Sequence, residues 1–88
     1  MNNHLSESDT KAVMDILVEQ LGVKPEELTT DARLEEDLGA DSLDKVEIIM
    51  TVGERFHITV SDDEAEMVVT VGDLLETLAE HQEQPKQP

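Results

Sequence analysis

The 88-residue chain has no cysteine, tryptophan or tyrosine, and one phenylalanine, Phe56. Without cysteine there is no disulfide framework, no thiolate metal site and no cysteine nucleophile. A single aromatic ring excludes base-stacking platforms and aromatic ligand cages. Positive charge is scarce too: six Lys and Arg face 22 Asp and Glu, a formal charge of −16 with His neutral. Such a surface repels phosphates instead of neutralising them, which argues against nucleic acid and against anionic membrane surfaces. No apolar run reaches the eighteen or so residues of a membrane span, and the start lacks the basic-then-apolar pattern of a secretory signal. These absences leave a small soluble domain, expected to be monomeric and cytoplasmic.

High charge with few aromatics is also a signature of disorder. The apolar residues, 38 % of the chain, fall at helical spacings, and this favours a folded domain with a thin core and salt-sensitive stability. Ser6 or Ser8 can cap a first helix, with Asp9 near its positive end. Val13, Ile16, Leu17 and Leu21 form its apolar stripe, and Gly22 followed by Pro25 ends it. Residues 23–41 read as a long loop, punctuated by Pro25, Thr29-Thr30-Asp31 and Gly39 and pinned by Leu28, Leu34 and Leu38. A loop of this length in so small a domain points to function.

Asp41 and Ser42 open a second helix that runs to about Phe56. Ile58, Thr59 and Val60 have strand-like composition but no partner strand, so they read as an extended connector. Ser61 with Glu64 makes a capping box for a short third helix over 62–67. Thr70 with Asp73 repeats the device before a fourth helix, whose stripe is Val71, Leu74, Leu75, Leu78 and Ala79. Residues 1–6 are expected to fray, 7–81 to form one domain, and 82–88 to be a disordered tail. The fold class is all-α: a small four-helix bundle with a long loop between helices one and two and a short third helix.

The second helix carries more apolar surface than one core contact needs. At about 100° per residue its apolar band is roughly 220° wide, against the ≳100° stripe of an ordinary surface helix. Either the helix is central, or part of the band faces solvent and awaits a partner. Asp44, Glu47 and Glu54 border the edge made by Leu43, Val46 and Met50, and an apolar edge rimmed by one sign of charge suits docking to a basic surface. Gly53 costs about 1 kcal/mol relative to Ala in ordinary helix, so on periodicity alone Ala there should stabilise. Seven acids lie between Asp31 and Glu47 against Arg33 and Lys45. They surround the helix start at Ser42, where unpaired N–H groups favour a phosphate ester. The plainer reading of Ser42 is an N-cap.

The stretch Glu36-Asp37-Leu38-Gly39-Ala40-Asp41-Ser42-Leu43-Asp44 resembles the prosthetic-group attachment motif of acyl carrier proteins. The likeness runs from about residue 10 to residue 80, through Val46-Glu47-Ile48-Ile49-Met50, Arg55-Phe56, Asp62-Asp63-Glu64-Ala65 and Thr70-Val71-Gly72-Asp73-Leu74. It implies a non-catalytic carrier of the acyl-carrier fold. Its Ser42 would bear 4′-phosphopantetheine, placed there from coenzyme A by a phosphopantetheinyl transferase, with Asp41 helping to present the serine. The arm would hold acyl groups as thioesters for acyl-transferring and condensing enzymes of fatty-acid biosynthesis. By the same resemblance Asp44, Glu47 and Glu54 would pair with basic residues on those partners, while Leu43, Val46 and Met50 make apolar contact. Ile48, Ile49, Val52, Phe56, Ile58, Ala65 and Leu75 would line the acyl pocket. Lys45, Gly53, Arg55 and Ser61 depart from the family's usual residues, which keeps a polyketide or other specialised carrier as the alternative.

Two rival readings fail on spacing. Gly39-Ala40-Asp41-Ser42-Leu43 does not fit the Gly-x-Ser-x-Gly elbow of serine hydrolases. A calcium loop starting at Asp31 would place Arg33 at its third position and Glu36 where glycine is required.

Overall fold

Ser6, not Ser8, caps the first helix: its hydroxyl accepts the Asp9 N–H at 3.1 Å. In the computed structural model, which describes residues 5–83, the order is α1 (Glu7–Leu21), a 3₁₀ turn (Pro25–Glu27), α2 (Ser42–Phe56), α3 (Asp62–Met67) and α4 (Val71–Glu83). There is no strand among the described residues, only an isolated bridge between Arg33 and Thr70. The fold is the expected all-α bundle. Gly22 terminates α1 in the left-handed region (φ 68°), where glycine carries no Cβ penalty, and its N–H reaches the Val18 carbonyl at 2.8 Å. Leu5, expected to fray, packs against the core. The fourth helix runs two residues past its expected end near His81. Residues 1–4 and 84–88 lie outside the described residues.

Val13 and Leu17 of α1, Ile48 and Val52 of α2, and Val71, Leu74 and Leu78 of α4 form the fully buried centre. Each large aliphatic side chain there contributes about 1.5–3 kcal/mol by leaving water. Gln20 adds a polar link between α1 and α2, its amide donating to Thr51 Oγ1 at 2.9 Å.

The loop before α2 is pinned as expected by Leu28, Leu34 and Leu38, and also by Ala32 and Ala40, all buried. Its backbone is hydrogen-bonded to the α3–α4 junction as well. Leu34 N–H donates to the Val69 carbonyl (2.9 Å), Val71 N–H to Ala32 (2.9 Å) and Gly72 N–H to Thr30 (3.0 Å). Within the loop, the Arg33 guanidinium and backbone N–H both donate to Asp37, and these bonds hold the Asp37 carboxyl below the usual carboxylate range. A loop fastened this way is a rigid strap that fixes where α2 begins.

At its far end α2 stops at His57, a non-glycine in the left-handed region (φ 59°). The chain folds back so that Ile58 N–H bonds the Gly53 carbonyl at 2.8 Å. A Cβ on Gly53 would lie 2.7 Å from the Ile58 carbonyl oxygen. Gly53 is therefore a close-approach site and not ordinary helix, which reverses the expectation that Ala stabilises it.

Both predicted capping boxes before α3 and α4 form. Ser61 and Glu64 exchange bonds at the start of α3; Thr70 and Asp73 do so before α4, where Asp73 also accepts the Val69 N–H. Glu64 has a second task. His81 of α4 donates from Nε2 to Glu64 Oε1 (3.0 Å), clamping the short helix to the long one and lowering the Glu64 pKa.

Candidate functional site

Asp41 takes the cap that the plain reading assigned to Ser42. Its Oδ1 accepts the Asp44 N–H at 2.8 Å, while Asp44 Oδ2 accepts the Asp41 N–H at 3.2 Å. Asp caps as well as Ser, so Ser42 moves to the first helical position. There it is exposed, and its hydroxyl has no hydrogen-bond partner among the described residues. The N–H groups of Ser42 and Leu43 belong to the first turn, which has no intrahelical acceptors.

Ser42 opens onto a groove of about 390 Å³ between α2 and α3, whose other lining residues include Lys45, Val46, Ile49 and Ala65. A second groove of about 460 Å³ lies where the 58–60 connector folds back on α2; Ile49, Gly53, Ile58 and Val60 help to line it. Ile49 belongs to both. Of the seven residues expected around a pocket, Ile49, Ile58 and Ala65 line these grooves. Ile48 and Val52 are wholly buried, Phe56 and Leu75 pack against the core, and none of these four lines either groove.

The wide apolar band of α2 divides in two. Ile48, Ile49 and Val52 are buried, whereas Leu43 (65 %), Val46 (47 %) and Met50 (59 %) are exposed. Glu47 and Glu54 are exposed beside them; Asp44 is half-buried and engaged in the cap. Sequence reasoning missed Met67 and Val69, also exposed. The available signal was their place on either side of Val68, which points inward. It also missed the placement of Lys45 in the Ser42 groove.

The rival chemistries gain no support from this geometry. His57 lies beyond the opposite end of fifteen-residue α2, about 21 Å from its start at 1.5 Å per residue. His81 is engaged with Glu64. Among the described residues no group of three or more His, Asp or Glu side chains is placed to hold a metal ion.

Residues 11–78 match the family described as "Phosphopantetheine attachment site". The acyl carrier protein of Chlamydia trachomatis serovar L2 is 50 % identical over 76 residues, 86 % of this chain and 95 % of the relative. The chain belongs to the acyl carrier protein family. Acyl carrier proteins of Sulfurovum sp. (51 % identity over 63 residues, 72 % of this chain and 84 % of the relative) and Wolinella succinogenes (49 % over 63, 72 % and 83 %) are similar as well. The family's members carry groups and do not catalyse, and their prosthetic group is phosphopantetheine. The matched span runs from within α1 into α4 and contains the motif around Ser42. An exposed hydroxyl on a helix start, opening on a partly apolar groove, fits a group joined through a phosphodiester. No helix among the described residues is long and apolar enough to cross a membrane.

Proposed function

We propose that Ser42 is the attachment residue. On this reading the chain holds acyl intermediates of fatty-acid biosynthesis on a 4′-phosphopantetheine arm and presents them to partner enzymes in the cytoplasm. The observation that carries this is the Ser42 hydroxyl, exposed and without a partner among the described residues, at the first position of α2. The arm supplies a thiol that this cysteine-free chain lacks, so that acyl groups travel as thioesters.

The chain's own residues supply position and recognition. Asp41 and Asp44 lock the first turn of α2, and the strap before it fixes that turn against the α3–α4 junction. The oriented serine is then open to a phosphopantetheinyl transferase. Leu43, Val46 and Met50 give a partner an apolar footing, and Glu47 and Glu54 draw in a basic docking surface. Single exposed ion pairs contribute only about 0–1 kcal/mol, so several together raise encounter rates yet permit rapid release. Ile49, Ile58 and Ala65 are the residues available to cover an acyl chain in the two grooves. Lys45, in the groove beside Ser42 where the family usually has a small residue, favours a second reading: a specialised carrier of a polyketide or other secondary acyl pathway.

Incubation of the apo protein with coenzyme A, magnesium and a phosphopantetheinyl transferase should add one prosthetic group by intact mass. Ser42→Ala should take up none. A group mapped by peptide sequencing to another residue overturns the assignment.

A further inference from the structure

We propose that Lys45 is the counter-cation of the phosphodiester on Ser42, an inference that rests on the attachment reading above. Lys45 follows Ser42 by three residues on α2, a spacing that places two side chains on one helix face, and both line the same groove. Its side chain is only 15 % exposed, low for a lysine, whose charge ordinarily seeks water. Its recorded partner is Glu35 Oε2 at 4.0 Å, the outer limit of an ion pair.

The surroundings make that one cation matter. The other charged residues lining the groove are Glu35, Asp62 and Glu66. The carboxylates of Asp41 and Asp44 flank the serine in sequence and already occupy the N–H groups of Asp44 and Asp41. A phosphodiester at Ser42 thus enters a field of acids at a helix start whose donors are partly used. Arg33 cannot answer it, being engaged by Asp37 and Glu36. Lys45 has a compact charge on a flexible stem and a loose partner to leave. Loading Ser42 draws it from Glu35 to the phosphate, shielding the new charge from the carboxylates around it.

The test compares apo and loaded protein, with loading verified by intact mass. In wild type labelled with ¹³C-lysine, the Lys45 ε-methylene resonance, assigned with Lys45→Arg, should move on loading while that of exposed Lys24 does not. In low salt, loading should lower the melting temperature of Lys45→Met by about 2–4 °C more than that of wild type, and Lys45→Arg should restore wild-type behaviour. About 0.5 M salt should remove the difference. A Lys45 resonance identical in apo and loaded wild type overturns the proposal and leaves attachment at Ser42 standing. Wild type that cannot be loaded at all overturns both.

Discussion

Replacing Gly53 by Ala sets helix propensity against packing, and the structure says which wins. In a free helical position Ala would gain about 1 kcal/mol over Gly. Here the added methyl would sit 2.7 Å from the Ile58 carbonyl oxygen, where ordinary contact begins at 3.4 Å. The obstacle is backbone, with no rotamer to escape into, and it is held by the Ile58 N–H bond to the carbonyl of Gly53 itself at 2.8 Å. The connector must retreat by roughly 0.7 Å or lose that bond; overpacking of this kind costs about 1–3 kcal/mol, and a lost hydrogen bond about 0.5–1.5 kcal/mol. Setting the propensity gain against the overpacking cost leaves a net destabilisation of up to about 2 kcal/mol, a fall in melting temperature of several degrees for a domain this small. With no tryptophan or tyrosine in the chain, urea and thermal melts by far-ultraviolet circular dichroism are the suitable assay. An Ala variant as stable as wild type, or more so, would refute the reasoning and make Gly53 an ordinary helical residue.

Other outcomes can be checked with the same material. Charge reversal at the exposed Glu47 and Glu54 should slow acyl transfer to partner enzymes and flatten its dependence on salt; unchanged kinetics would remove the steering role. His81→Gln should destabilise the fold by weakening the hold on Glu64, whose folded-state pKa lies below the ordinary 4.5 chiefly because His81 bonds its carboxylate. A depressed carboxyl contributes stability above its unfolded pKa and loses it as pH falls through the folded one, so wild type and variant should differ most above about pH 4.5 and converge below it. His57→Gly should raise stability by about 0.5–1 kcal/mol in urea melts, because glycine meets no steric penalty at φ 59°.

What the sequence made legible was whatever local chemistry alone decides. Caps and apolar periods gave the four helices, because Ser61 with Glu64, Thr70 with Asp73, and Gly22 act within a few residues of themselves. The nine-residue motif gave the family. What stayed hidden depended on chain segments meeting across the fold. Nothing near Gly53 in sequence announces that Ile58 returns to lie over it, and nothing in residues 30–34 announces backbone bonding to residues 69–72. Likewise Phe56 and Leu75 are apolar as Ile58 and Ala65 are, and only packing decides which pair lines the two grooves beside α2.

Asp44 shows how far a sequence-level role can be divided. Its charge and its place beside Leu43 made it a candidate for the partner-facing rim, which the proposed function rests on Glu47 and Glu54 instead. Yet its carboxylate also closes the capping box that turns Ser42 outward, through the Asp41 N–H at 3.2 Å. Reversing its charge would remove the returning bond of the capping box and place a cation at the positive end of the helix, which is itself unfavourable. Any loss of transfer would then mix a disordered attachment turn with a weakened encounter. Glu47 and Glu54 form no such backbone bond with their side chains among the described residues, so a rate change there reports docking alone. The rim can therefore be tested cleanly only downstream of the first turn. Asp44 belongs with Asp41 in experiments on how the serine is presented.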